Sequence, residues 1–211
     1  MNRRFVLGWM RSIVLAAMIV VSGGGLAHAD DAAFADDAKN FIQGLTADAI
    51  NSLAVADIEK DERRKRFRRL MLDKFAFKGI AKWVLGRYWR KASADERKEF
   101  MALFEDLMVI TYADRFETYS GEKIEIGKAE IRNGKDALVH SRLIRGESTE
   151  PVDVIWRVRR SEEMFKIVDV MVEGLSMGLT QQKEFSSVIR KNGGKVNGLL
   201  VELRKRIKSN T

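Results

Sequence analysis

The apolar residues of this 211-residue chain change period at Gly121. Before it they recur with helical spacing. After it they alternate, in Lys123–Ile131 (KIEIGKAEI), Ala137–Arg145 (ALVHSRLIR), Val152–Arg159 (VDVIWRVR) and Met164–Val172 (MFKIVDVMV). Alternation of this kind predicts half-buried strands. Asn133-Gly134, Gly146 and Ser161-Glu162-Glu163 mark the turns between them. Connections this short cannot hold a crossover, so neighbouring strands run antiparallel. Helical spacing returns in Thr180–Asn192 and Lys195–Lys208, split by Gly193-Gly194. Helices, then strands, then helices imply an α+β fold: helices packed on a curved, mainly antiparallel four-stranded sheet. No internal repeat or low-complexity linker divides the chain.

The first half predicts four helices. Residues 32–54 place Phe34, Ala38, Phe41, Ile42, Leu45, Ala49 and Leu53 on one side. Asp57–Lys74 is basic on its early turns, with Phe67, Leu70, Met71 and Leu72 turned inward. Phe77–Trp89 forms the third. Ser93-Ala94-Asp95-Glu96 is a capping box, in which the Ser hydroxyl accepts from the N3 amide and Glu96 reaches back. The helix it opens is expected to run to Tyr119, about 40 Å at 1.5 Å per residue.

The N-terminus reads as a targeting segment. Arg3, Arg4 and Arg11 precede the apolar run Ile13–Val21, and Ala27-His28-Ala29 supplies an A-x-A cleavage pattern. Residues 1–29 are expected to be a secretory signal peptide, and 30–211 the mature domain. The run is shorter than the roughly 20 residues a membrane-spanning helix needs. Losing three arginines and no acids takes the formal charge from +8 to +5. The chain has no Cys, hence no disulfide, no redox pair and no acylation site beside the cleavage point. The expected location is the periplasm.

Candidate chemistry is sparse. Gly174-Leu175-Ser176-Met177-Gly178 matches the G-x-S-x-G nucleophile elbow, but in that fold the acid and the His follow the Ser. Neither His nor Asp occurs after Ser176. An exported serine hydrolase therefore ranks low, and the motif reads as a glycine-bounded turn. His140, the one His of the mature chain, cannot hold a metal without further ligands. No cofactor is implied. Asp169 and Glu173 lie close enough in sequence to act as an acid–base pair, with turn-capping carboxylates as the plainer reading. The run Glu62-Arg63-Arg64-Lys65-Arg66-Phe67-Arg68-Arg69 and the later Arg204-Lys205-Arg206 are basic. Export argues against nucleic acid. A solvated face and a dock for anionic headgroups or an acidic partner stay open.

The segment FAFKGIAKWVLGRYW (75–89) carries five aromatic residues. On a helical wheel Phe77, Ile80, Ala81, Val84, Leu85 and Tyr88 share one face, and Trp83 and Trp89 widen it beyond the roughly 100° stripe of a simple core helix. Periodicity leaves a central core helix and a cavity-lining helix both open.

Phe77-Lys78-Gly79-Ile80-Ala81 with Val84-Leu85-Gly86-Arg87-Tyr88-Trp89 resembles the F-x-x-I-A…V-L-G-x-Y-W signature of MlaC-type, or toluene-tolerance, periplasmic lipid-binding proteins. Phe165-Lys166-Ile167-Val168-Asp169-Val170 with Glu173-Gly174-Leu175-Ser176 is similar to that family's W-K-V-x-D-V…E-G-V-S. Thr180-Gln181-Gln182-Lys183-Glu184-Phe185, and Phe165 in place of Trp, look more like the hopanoid-biosynthesis-associated branch, HpnM. The resemblance implies an apolar cavity enclosed by the α+β fold, holding the acyl chains of a phospholipid, a hopanoid or a related lipid. It implies no catalysis. It also implies transient docking to an outer-membrane lipoprotein complex and an inner-membrane ABC transporter. On that reading Ile80, Val84, Phe104, Leu107, Met108, Val139, Leu143, Val154, Trp156, Val170 and Val172 line the pocket, and Arg142 and Arg157 contact a headgroup or partner.

Overall fold

The structure, a computed structural model, describes residues 25–145, 150–161 and 164–210, with side chains from Asp30 onward. The basic and apolar parts of the expected signal peptide, and the turn residues Gly146 and Glu162-Glu163, lie outside the described residues. The backbone of Ala27–Ala29 belongs to the first helix.

In chain order the elements are helices α1 (Gly25–Leu53), α2 (Lys60–Lys74), α3 (Phe77–Leu85), α4 (Tyr88–Lys91) and α5 (Ala94–Tyr112). A 3-10 turn, Ala113–Phe116, leads to strands β1 (Lys123–Arg132), β2 (Asp136–Ile144), β3 (Val152–Ser161), β4 (Met164–Val172) and β5 (Leu175–Ser176). Helices α6 (Met177–Lys191) and α7 (Val196–Ser209) close the chain. The sheet is an antiparallel meander in the order β1-β2-β3-β4-β5. It therefore has five strands where alternation predicts four. β5 is only two residues long, too short to show a period of two. Register shifts between Ile126 and Ala129 on β1, and between Arg157 and Val158 on β3, interrupt the ladder. Bulges of this kind bend a strand and increase its twist.

Two further expectations change. The Phe77–Trp89 helix breaks at Gly86, whose φ of 58° and ψ of −134° lie where a side chain is strained, so Trp89 belongs to α4 and not to the wheel of α3. The long helix after the capping box is confirmed at its start, where Ser93 and Glu96 satisfy each other's N–H groups. It ends at Tyr112, not Tyr119. The 3-10 turn that follows is pulled toward α2 by Asp114, which accepts from Arg64 Nη2 at 2.9 Å and lies 3.4 Å from Lys60 Nζ. Leu72, expected inward, is exposed.

The interior divides into two apolar clusters. Phe34, Ala38, Ile42 and Leu45 of α1 lie on Ala137, Val139, Val158 and Ile167 of the sheet. The second cluster is helical: α3, α5, α6 and α7 meet around Phe77, Phe100, Phe104 and Phe185. There Phe104 stacks on Phe77 and Phe100, with Phe185 edge-on to both Phe100 and Phe104. Burying each such ring contributes about 1.5–3 kcal/mol. Phe75 packs against both clusters and is bridged to Ile167 at the free part of β4. Among the described residues no helix is long and apolar enough to cross a membrane.

Candidate lipid cavity

Between the two clusters they fail to merge, and the seam is a cavity of about 350 Å³. One wall is the later half of α1, through Leu45, Thr46, Ala49 and Ile50. A second is α2 and its end, through Phe67, Leu70, Met71 and Phe75. The sheet supplies Ile124, Leu143 and Trp156. Leu45 and Ala49 on α1, and Phe67, Leu70 and Met71 on α2, sit at helical spacing, so each set lies on one side of its helix. Trp156 closes its own polar account: its Nε1–H donates to Ser141 Oγ at 2.9 Å, and that hydroxyl donates to the Val154 carbonyl at 3.0 Å. Buried Ser141 thus leaves no unsatisfied group in the wall, which would otherwise cost about 1–3 kcal/mol.

Polar residues gather at one end. Arg115, Tyr119, Glu122 and Arg145 line the mouth. Tyr119 Oη donates to the Glu122 carbonyl at 3.0 Å. The Ser120 N–H bonded to Glu122 holds its carboxyl below the usual range, and Arg145 adds a smaller push in the same direction. Arg115 donates to the Thr111 carbonyl and lies over the Tyr112 ring. Neither Arg115 nor Arg145 forms a salt bridge among the described residues. An apolar pocket ending in unpaired guanidinium groups suits an amphiphile with an anionic head.

Of the residues the sequence places in a pocket, Leu143 and Trp156 line this cavity. Val139 and Val170 belong to the sheet cluster behind it. Ile80, Val84, Phe104, Leu107 and Met108 belong to the helical cluster. Val154 is buried on β3 and Val172 is half-buried where β4 ends. Arg157 is turned to the outer sheet face, where it and Arg159 donate to the buried Asp136 carboxylate. Burial alone would raise the Asp136 pKa, but the Arg159 and Arg157 hydrogen bonds outweigh it and hold it low. Arg142 pairs with Glu125 at 3.0 Å on an exposed surface. The lining from α1 and α2 and the mouth arginines were not legible as such, because a wall residue and a core residue share one amphipathic pattern.

The remaining motifs have structural partners. Ser176 caps α6, accepting from the Leu179 N–H at 3.0 Å and donating to Asp169 Oδ2 at 2.6 Å. Asp169 also accepts from the Val170 and Gly178 amides. Glu173 accepts from the Asp153 N–H at 2.6 Å. His140 lies on β2 with Nε2 3.5 Å from Glu130 Oε1, two strands from β4 and the Ser176 turn. The Ser176 hydroxyl is held by Asp169 and the α6 cap, and among the described residues His140 is placed away from it. Among the described residues no group of three or more acidic or His side chains could hold a metal. Much of the basic run of α2 is paired internally, while Lys65 and Arg69 are exposed. Arg63 is buried and donates to the Leu53 and Ile58 carbonyls. Arg64 pairs with Asp114, Arg66 with Glu62, and Arg68 with Glu105 and Asp106.

The helix of the first signature meets α6, just beyond the second. Trp83 of α3 lies against Gly178 of α6 so closely that a Cβ there would fall 2.0 Å from Trp83 Cζ3. Gln182 Nε2 donates to the Trp83 carbonyl.

Known proteins similar to this chain bear on the arrangement. An intermembrane phospholipid transport system binding protein MlaC of Haemophilus influenzae is 26% identical over 113 residues, 52% of this chain and 53% of that protein. A toluene tolerance protein of Pseudomonas putida is 23% identical over 116 residues, 54% of each chain. The chain thus spans about half the length of the curated relatives it matches. A phospholipid-binding protein from Ralstonia solanacearum, solved in complex with a phospholipid, shares the fold at a TM-score of 0.73 and 21% identity, covering 82% of this chain and 97% of that one. The family model described as MlaC protein matches residues 43–205, a span that takes in both signature segments, the cavity walls and its mouth, and the chain belongs to that family.

Proposed function

We propose that this protein is a periplasmic lipid carrier that hides acyl chain in the seam between its two cores and holds an anionic headgroup at Arg115 and Arg145. The observation that carries the reading is the apolar cavity of about 350 Å³ with its charged mouth. A liquid gives about 30 Å³ to a water-sized group, so this volume takes about a dozen carbons. At about 0.8 kcal/mol per buried CH₂, that is about 9 kcal/mol of gross stabilisation, enough to hold one chain out of water. A two-chain phospholipid requires the walls to separate further. The carrier takes its lipid from one membrane system and yields it to another, an outer-membrane lipoprotein complex at one end and an inner-membrane ABC transporter at the other. It acts as a binding protein and not as an enzyme: Ser176 and Asp169 are engaged at the α6 cap, and Glu173 holds the Asp153 amide. Residues 1–29 serve as the signal peptide that exports it.

The names of the relatives and of the structural neighbour favour phospholipid as cargo. A hopanoid-related lipid is the second candidate. Thr180–Phe185, the stretch that suggests it, lies within α6, with Gln182 on the Trp83 carbonyl and Phe185 in the helical cluster, and none of it lines the cavity, so it does not choose between them. Transfer of fluorescent phospholipid from donor to acceptor vesicles tests the reading. The mature chain should accelerate transfer in proportion to its concentration. Transfer no faster than the spontaneous rate, for phospholipid and hopanoid alike, would sink it.

A further inference from the structure

The molecule carries a second apolar feature, on the outside. Leu175 on β5 is 68% exposed, and Met177 and Leu179, on the first turn of α6, are 39% and 40% exposed. Trp83 is 39% exposed and lies directly on Gly178, between Met177 and Leu179. Four large apolar side chains thus project from one corner. Lys78 and Lys82, one helical turn apart on α3, and Lys183, one turn beyond Leu179, are exposed around them. Among the described residues none of the three lysines forms a salt bridge. The nearby carboxylates are engaged elsewhere: Glu173 by the Asp153 amide, Asp169 by the Ser176 turn, and Glu184 by Arg206. The corner is therefore apolar at its centre and cationic at its rim. Trp, with an apolar ring and a polar N–H, is suited to a membrane–water boundary.

The sheet fixes where this corner lies relative to the mouth. Leu175 pairs with Val172, and Val172 with Val154, two residues from the start of β3. Leu143 pairs with Val152 at that same start, and the mouth residue Arg145 follows just beyond β2. Corner and mouth therefore share one end of the sheet. They are three strand spacings apart, about 15 Å at roughly 4.8 Å per strand.

We propose that this corner docks the protein on the surface of an anionic phospholipid bilayer, with Trp83, Leu175, Met177 and Leu179 entering the headgroup layer and Lys78, Lys82 and Lys183 held by its charge. Docked this way, the cavity mouth faces the bilayer, so lipid passes between cavity and membrane over a short path. The inference goes beyond carriage in the cavity: binding at the corner does not require lipid in the seam.

Vesicle co-sedimentation with the full mature chain tests it, using vesicles of phosphatidylglycerol mixed with phosphatidylcholine and vesicles of phosphatidylcholine alone. The wild type should partition onto the anionic vesicles and be released by salt. K78S/K82S/K183S should lower the partition coefficient roughly 100-fold. L175S/M177S/L179S should lower it more than tenfold at unchanged net charge. The single changes Leu175→Ser and Lys183→Ser, both at exposed positions, give smaller shifts in the same direction in chains whose fold is not at issue. Lipid content of each variant, read by mass spectrometry, stays at the wild-type level and separates loss of docking from loss of the cavity. Wild-type chain that ignores both vesicle types, or variants that bind as the wild type does, overturn the proposal. Capture by a purified membrane protein without vesicle binding does so too, since it makes a protein the occupant.

Discussion

Ala49 lines the cavity from α1, and replacing it by Phe is the sharpest way to separate a lipid cavity from an incidental packing defect. The added phenyl ring takes roughly six carbon-sized volumes, about half of the dozen the cavity holds. At about 0.8 kcal/mol per displaced methylene the gross loss is about 5 kcal/mol. Partial separation of the walls recovers some of this, because side chains repack around an added group. A net loss of about 2–3 kcal/mol remains, which is about 30–150-fold in lipid affinity. The empty protein responds differently. Filling an apolar void adds contacts, and Phe in place of Ala costs a helix only a few tenths of a kcal/mol. The lipid-free A49F chain should therefore melt within a few degrees of the lipid-free wild type, or above it. The assay is paired: a thermal melt of delipidated protein, and equilibrium titration with a fluorescent acyl lipid. A variant that binds lipid with wild-type affinity refutes the argument that this cavity is the site. A variant that merely unfolds refutes the claim that the volume is empty space.

Three further outcomes follow from particular contacts. Gly178→Ala forces Trp83 off α6 and should cost about 1–3 kcal/mol, with a red shift of Trp emission as the ring enters water; an unshifted spectrum contradicts the close approach. Ser176→Ala removes the α6 cap and should cost about 1 kcal/mol while leaving lipid transfer intact, and loss of an esterase activity in that variant would revive the hydrolase. Asp136→Asn leaves two guanidinium groups facing a neutral amide; because those arginines are partly exposed and screened, the cost at neutral pH should be about 1–3 kcal/mol. The folded pKa of Asp136 lies below its unfolded value near 3.9, so its contribution is present above that value and is lost as pH falls through the folded pKa. The gap between the denaturation midpoints of wild type and variant should narrow steadily as pH falls below about 4, and a gap that stays constant down to the acid limit would contradict the ion pair.

The sequence carried most of the fold because strands and helices announce themselves by period, and four of the five strands and all the major helices followed it. Its errors came where one residue overrides a pattern. Gly86 ends α3 through its positive φ although the apolar spacing runs on to Trp89. Asp114, through its contacts with α2, accompanies the end of α5 at Tyr112. β5 has no period to read. The cavity was harder. Leu143 and Trp156 were named from strand alternation, which states which residues share a face. Leu45, Ala49, Ile50, Phe67 and Leu70 carry the same amphipathic signal whether they meet a neighbour or a void. Arg115 and Arg145 gave no signal either, since only the fold shows which cations are left without carboxylates. Of the basic run of α2, the most conspicuous charge feature, Arg64, Arg66 and Arg68 are taken up by Asp114, Glu62, Glu105 and Asp106.

Native mass spectrometry of the mature protein, purified from periplasmic extract without detergent, bears most directly on the central claim. The account predicts an adduct of a single lipid mass series at near-equimolar occupancy, reduced in A49F and released as intact lipid on unfolding. A bare chain mass that takes up no lipid on incubation with vesicles would contradict it.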